Sequence, residues 1–255
     1  MSAFFHRDGD RYLPTAHTRG PWSAEHQHGG PPSALLAGAI EAACASHALA
    51  RLSVQLLRPV PIAPLTVHVA EPVGGRTAQR VRAELRHDGR AVVTAEGLLL
   101  RRAEVPGAAV PTTPLGPLPS SATPLVFPFF AWDEGYHQAI ELHPLPGEAW
   151  GGPSLRLWAR SRFPIVAGQP ITPVQSVVVL ADAQSGFAPP APVERFTFLN
   201  PELQVALARW PRSTWIGLDV RSWCGDQGVA IARSTLHDEV GAIGQSEQVM
   251  VLAAR

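Results

Sequence analysis

Lysine is missing from the 255 residues; all 21 basic side chains are arginine. That excludes Schiff-base chemistry and the phosphate-binding lysine of a Walker loop. Cysteine is scarce: Cys44 and Cys224 are too few for a disulfide framework or a thiolate metal site. Surplus charge is absent too, since 21 acidic residues balance the arginines. A generic nucleic-acid binder is basic, so nucleic acid is not an expected partner. No apolar run approaches the roughly 18 residues of a membrane span. The start, MSAFFHRDGD, has no basic region leading into an apolar stretch, so no secretory signal is expected and a cytoplasmic location is. Nucleophile-elbow and dinucleotide motifs are missing as well. Gly244-Gln245-Ser246-Glu247-Gln248 lacks the second glycine of an elbow and sits in a strand pattern.

What the chain does have is apolar material, 45% of residues, and frequent punctuation by 26 prolines and 22 glycines. The densest punctuation, AEVPGAAVPTTPLGPLPSSATPLVFP at 103–128, reads as a linker. It separates a unit at 1–102 from a unit at 129–255, and the two look alike. In the first, RLSVQLLRP and PLTVHVAEPVGG are strand-like. Arg80, Arg82, Glu84 and Arg86 then alternate with Val81, Ala83 and Leu85, His87-Asp88-Gly89 turns, and RAVVTAEGLLLRR returns. In the second, FTFLNPELQVALARWP, STWIGLDVRSWCG, VAIARSTLHDEVG and AIGQSEQVMVL follow the same order, with Gly241 placed like Gly89. Each unit also has an apolar helix ahead of these strands. The first is expected over 31–49, opening on Pro31-Pro32 after Gly29-Gly30. The second is expected over 172–183, where Thr172 and Gln175 have capping-box spacing and Ser185-Gly186 ends it. Each unit is thus a buried helix wrapped by an antiparallel sheet.

Asp182 stands out at the C-terminal end of the second apolar helix. A carboxylate there faces an unfavourable helix dipole and few solvating neighbours, a place tolerated mainly for a partner or a task; the plain alternative is a solvated last turn. Gln248 shares a strand face with Met250 and Leu252, so its amide is expected inside and in need of hydrogen bonds; the alternative is an edge position. Asn200 opens a strand and can hold a water, although Asn-Pro also starts turns. Gly29-Gly30 offer backbone N–H groups at a positive helix end, suited to an oxyanion, or simply a tight turn. His26 and His28 lack a third metal ligand nearby. Glu41 sits in the first helix much as Asp182 sits in the second, and is the runner-up base or an outward-facing residue. Cys44 reads as inert core.

His28-Gly29-Gly30-Pro31-Pro32, Leu57-Arg58-Pro59, Leu180-Ala181-Asp182, Phe198-Leu199-Asn200, Leu207-Ala208-Arg209 and Leu236-His237-Asp238-Glu239 through Gln248, in that order and with the duplication, resemble the acyl-CoA thioesterase II-type, thioesterase-like superfamily. The resemblance implies an α+β double hotdog fold and hydrolysis of an acyl-CoA or related thioester, with no cofactor, no metal and homo-oligomeric assembly. It implies a water-holding site of Asp182, Asn200 and Gln248; Asp182 is then the expected base, and backbone N–H groups at Gly29-Gly30 or at the start of the second helix are the expected oxyanion donors. Relatives of this kind carry Asn-Thr-Asp-Leu-Thr-Val-His-Leu-His-Arg where this chain reads Asn200-Pro201-Glu202-Leu203-Gln204-Val205-Ala206-Leu207-Ala208-Arg209. Gln204 therefore competes with Asn200 for the water, and the lost histidines keep a non-catalytic acyl-binding protein as the alternative. A hotdog hydratase would need an Asp/His pair near a helix start. Only His26 or His28 qualifies, and the sequence shows no partner for either.

Overall fold

The computed structural model describes residues 2–119 and 124–255; residues 120–123 of the expected linker lie outside the described residues. The first unit opens with a hairpin of β1 (Phe5–Asp8) and β2 (Arg11–Pro14), followed by α1 (Gly30–Ala43), β3 (Ala48–Leu56), β4 (Leu65–Val69), β5 (Val73–Gly74), β6 (Ala78–His87) and β7 (Arg90–Leu100). The second unit comprises α2 (Tyr136–Ala139), β8 (Ile140–Pro144), β9 (Ser154–Ser161), α3 (Pro173–Ala181), α4 (Gln184–Phe187), β10 (Phe196–Leu199), β11 (Glu202–Leu207), β12 (Ile216–Cys224), β13 (Val229–Asp238) and β14 (Gly241–Ala254).

Local chemistry explains the elements that carry the site. The β6–β7 hairpin turns at Asp88 (φ 48°) and Gly89 (φ 75°), the two positive φ values a tight primed turn requires. Val81, Ala83 and Leu85 of β6 are buried while Arg80 and Arg82 point out, the period-two pattern of a half-buried strand. Thr172 caps α3: its Oγ1 accepts from Gln175 N at 3.1 Å, and Gln175 Oε1 accepts from Thr172 N at 3.0 Å. Val177, Val178, Val179 and Leu180 are fully buried, each stabilising the fold by about 1.5–3 kcal/mol.

Three sequence expectations change. The first helix ends at Ala43, not at 49. Cys44 leaves the helical region (φ −140°, ψ 60°), and the apolar run continues as β3, with Leu49 buried on the sheet. A short apolar run does not reveal the period it will adopt. Beyond 182 the chain forms α4, so Ser185-Gly186 lie inside a short helix. Finally, β1–β2 and β8–β9 precede the helices and widen each sheet.

The units share one 14-stranded antiparallel sheet, joined where β3 pairs β11 from Glu202↔Gln55 to Ala206↔Arg51. α1 and α3 pack against each other and against the sheet. Gly38 permits the close approach, because a Cβ there would collide with the Gln175 side chain. This is the double hotdog architecture. The linker is attached to the second unit rather than free: Ala242 N donates to Thr112 Oγ1 at 2.8 Å, Leu125 N donates to Leu142 O at 2.8 Å, and Phe127 is buried.

Candidate active site

Helix packing brings the C-terminal end of α3 to the N-terminal end of α1. Asp182 is the C-cap of α3 and Gly29 the N-cap of α1. A Cβ on Gly29 would lie 2.7 Å from Asp182 Oδ2, so glycine is what lets the carboxylate seat itself there. A Cβ on Gly30 would meet Val179 O at 2.5 Å, for the same reason of close approach. The segment before α1 is stitched in place: His28 N donates to Thr18 O (2.7 Å) and Gln27 N to Val60 O (2.8 Å).

The Asp182 side chain is 2% exposed and its partners come from both units. Oδ1 accepts from Asn200 Nδ2 at 2.8 Å and from Gln248 Nε2 at 3.1 Å. Gln248 Nε2 also donates to the Asp182 carbonyl at 2.8 Å, which fixes the amide's orientation and leaves Oε1 buried without a partner. Asn200 Nδ2 in addition donates to Glu202 O at 3.1 Å. Oδ2 lies 3.0 Å from His28 Nδ1. The His28 ring stacks on Tyr136 with centroids 3.8 Å apart and planes 7° from parallel. Tyr136 Oη donates to Val179 O at 2.6 Å; burial first, and the Asp182 charge second, push its phenol well up, so it stays a neutral donor.

This cluster closes the polar end of a cavity of about 700 Å³ whose wall carries Trp22, Phe127, Phe129, Phe130 and Phe198. Trp22 meets Phe198 edge-on at 5.3 Å, and Phe127 meets Phe129 likewise at 5.3 Å. Among the described residues Arg58 is the one guanidinium in the lining.

The structure thus gathers Asp182, Asn200, Gln248 and Gly29. Two expectations need correction. Gly30 is buried, aims its N–H at His28 Nδ1 (3.1 Å) and is not part of the cavity lining, which leaves Gly29 N–H as the backbone donor of this pair without a protein acceptor among the described residues. Gln204 lies elsewhere: with Ala206 it occupies the exposed face of β11, its amide 3.5 Å from Glu202, and Ala208 just past the strand is exposed as well. Period two along the chain keeps these three out of the cavity lining, so the lost histidines and the second lost threonine do not touch the site, whereas Pro201, in place of the first threonine, lines the cavity and the neighbouring Glu202 carbonyl accepts from Asn200. Glu41 binds Thr172 Oγ1 at 2.7 Å, outside the cavity. Sequence reasoning missed the pairing of His28 with Asp182 and the role of Tyr136. A histidine directly before Gly-Gly at a helix start was the available signal for the first. Among the described residues no cluster of three His, Cys, Asp or Glu is suited to a metal.

Sequence profiles of the acyl-CoA thioesterase N-terminal domain and C-terminal domain match residues 18–100 and 118–252. The chain belongs to the acyl-CoA thioesterase family. Among solved structures, this thioesterase-family chain is similar to a tesB protein of Mycobacterium avium subspecies paratuberculosis (TM-score 0.72, 19% identity, covering 98% of this chain and 95% of that one). It is similar also to a hot dog fold protein of unknown function from Alicyclobacillus acidocaldarius (TM-score 0.77, 16% identity, 98% and 96% covered). A third is the acyl-CoA thioesterase II TesB2 of Mycobacterium marinum (TM-score 0.65, 15% identity, 97% and 93% covered). At these identities the likeness is one of fold. No curated protein matches the sequence significantly.

Proposed function

We propose that this family member hydrolyses the thioester of an acyl-CoA at the Asp182 site, releasing a free acid and a thiol. The observation that carries the reading is the buried Asp182 carboxylate, held by Asn200 and Gln248 of the second unit and set against the His28-Gly29 start of α1 in the first, at the polar end of an aromatic cavity. A thioester carbonyl is already electrophilic, so hydrolysis asks for little: an anion that lets water lose a proton, and a donor for the developing oxyanion. General-base assistance contributes about 10²–10⁴-fold, and one oxyanion donor roughly 10²–10³-fold. Asp182 supplies the charge, Asn200 and Gln248 hold it in one orientation, and Gly29 N–H, in the cavity lining, is the donor assigned to the oxyanion. The apolar wall suits the acyl group, and Arg58 suits a phosphate of the coenzyme. The chemistry runs on water and side chains and calls for no cofactor. Cytoplasmic location and self-association through the open sheet edges belong to the same proposal. No helix among the described residues is long and apolar enough to cross a membrane.

The test is thiol release from short, medium, long and aromatic acyl-CoAs, with Asp182→Asn alongside. Turnover in the wild type that drops by about 10³-fold in the mutant, at unchanged melting temperature, supports the reading. Wild-type protein that binds acyl-CoA without releasing thiol would make it an acyl-binding protein. A second reading has one observation in its favour: His28 and Asp182 form the carboxylate–imidazole pair that the sequence did not reveal, and such a pair also serves the addition of water to an enoyl-CoA. Loss of enoyl absorbance without thiol release would establish hydration instead.

A further inference from the structure

Hydrolysis needs one atom that takes a proton from water and then returns it to the departing sulfur. Asp182 is poorly placed to meet water itself. Its side chain is 2% exposed, Oδ1 carries two amide donors, and Oδ2 faces His28 Nδ1 at 3.0 Å. His28 is arranged the other way round. Its side chain is 13% exposed and lines the cavity. Its ring is fixed by Asp182 at Nδ1, by Tyr136 on one face, and by the backbone bond from His28 N to Thr18 O. Nε2 has no hydrogen-bond partner among the described residues. Unlike the orphaned nitrogens of His17, His137, His143 and His237, it is not sealed from open space.

We propose that His28 Nε2 is the atom that exchanges protons with the reacting water and the leaving thiolate, and that Asp182 is the anion that orients and stabilises it. The inference rests on the hydrolysis reading above and adds a residue to it. Nδ1 has two neighbours, Asp182 Oδ2 at 3.0 Å and Gly30 N at 3.1 Å. Gly30 N–H donates to Nδ1 only when that nitrogen is bare, whereas a proton on Nδ1 is drawn to the carboxylate, the stronger, charge-assisted contact. That second tautomer leaves the lone pair on Nε2, in the cavity, and frees the Gly30 N–H.

The step balances. The water oxygen bonds to the thioester carbon while its proton passes to Nε2, giving an imidazolium beside the Asp182 carboxylate and a tetrahedral oxyanion. The C=O bond re-forms, the C–S bond breaks, and sulfur takes the proton back from Nε2. The products are the acid and the thiol, and His28 is neutral again.

The experiment measures kcat and KM for thiol release from decanoyl-CoA and benzoyl-CoA by the wild type, Asp182→Asn, His28→Asn, His28→Gln and His28→Ala, with melting temperature as the check on folding. His28→Asn keeps an amide nitrogen near the Nδ1 position and lacks Nε2. The expected result is a fall in kcat of at least about 100-fold in all three His28 variants with KM little changed, and partial recovery of His28→Ala by free imidazole. Retention of kcat within about five-fold by His28→Asn, or a loss in His28→Ala that imidazole does not relieve, would reduce His28 to a support for the carboxylate and overturn the proposal. In that case Asp182→Asn would remain inactive and the hydrolysis reading would stand. If His28→Ala does not melt cooperatively, His28→Asn and His28→Gln decide the question. A wild type that releases no thiol from either substrate, or from the wider panel, overturns both.

Discussion

At Gly29 a single methyl group is enough to test the site. Its backbone (φ −65°, ψ −22°) accepts any residue, so a substitution there adds no backbone strain. What it adds is a Cβ 2.7 Å from Asp182 Oδ2 and 3.0 Å from Leu56 Cδ1. Gly29→Ala is expected to displace the carboxylate by a fraction of an ångström to an ångström and to lower kcat/KM by about 100-fold, with little change in melting temperature. Undiminished kinetics would separate Gly29 from the chemistry. Glu41 offers a contrasting test of a carboxylate without a catalytic task. Burial pushes its carboxyl up from the ordinary range, against the lowering by the Thr172 hydroxyl and by the Arg102 charge. A group raised in the folded state stabilises it when protonated, and that contribution is lost as pH climbs through the folded value. Glu41→Gln still accepts from Thr172 and is therefore expected to melt higher than wild type at pH 7, by about 2–4 °C for each kcal/mol gained. The difference should disappear toward pH 4, and melts at the two pH values that differ equally would sink the argument. At this scale Asp182 and Gln248 were legible because polar groups in apolar phases are expensive to bury without partners. Asn200 became legible only through the family resemblance. The partner of His28 was not, because it lies in the other half of the chain. Nor was Tyr136, whose importance comes from the ring it stacks on.

Among the elements, α3 matters most, since its C-terminal end presents Asp182. The capping box at its start holds the whole helix in register, and the Thr172 hydroxyl additionally donates to Glu41. Thr172→Ala removes a cap worth about 1 kcal/mol and strips a half-buried carboxylate of its donor, a further loss of about 1 kcal/mol. The expected fall in melting temperature is about 4–8 °C, measured by calorimetry, with most of it recovered in Thr172→Ser. Activity at low temperature should survive, since neither Thr172 nor Glu41 lines the cavity. A mutant that is inactive yet melts normally would contradict this. The β6–β7 hairpin and α3 could be read from sequence because turn residues, cap and periodicity agreed locally. The end of α1 could not, because the apolar run through Ala48 and Leu49 satisfies helix and strand alike until the sheet claims it. The same holds for β1–β2 and β8–β9, whose short, charge-rich segments become strands by pairing with neighbours. Residues 103–119 carry neither helix nor strand. The linker's last residues nevertheless belong to the cavity wall, where Phe127 packs parallel to Phe187 at 5.4 Å.

In the whole molecule the duplication creates two places where a helix-borne carboxylate meets the start of the other unit's helix, and the chain uses them unequally. At one, Gly29-Gly30 make room, Asn200 and Gln248 hold Asp182, and a cavity opens. At the other, the Thr172 side chain occupies Glu41 directly. The duplication was visible in sequence; that the proposed site would be shared between units was not, because it depends on β3 pairing with β11 and α1 lying on α3. A shared site makes a prediction about cutting the chain. The backbone at Gly107 (φ 80°) is exposed, and a Cβ there would meet nothing within 4 Å, so a break after it should disturb no packing. The linker contributes only effective concentration, of millimolar order for a short tether. The sheet ladder and the buried helix pair hold the halves together without it. Co-expressed fragments 1–107 and 108–255 are therefore expected to co-purify and to keep kcat within about five-fold of the intact chain. Either fragment alone is expected to release no thiol, since His28 and Gly29 reside on one and Asp182, Asn200 and Gln248 on the other. Full turnover by the 108–255 fragment alone would mean that the first unit contributes nothing to the chemistry, and the shared site would have to be abandoned.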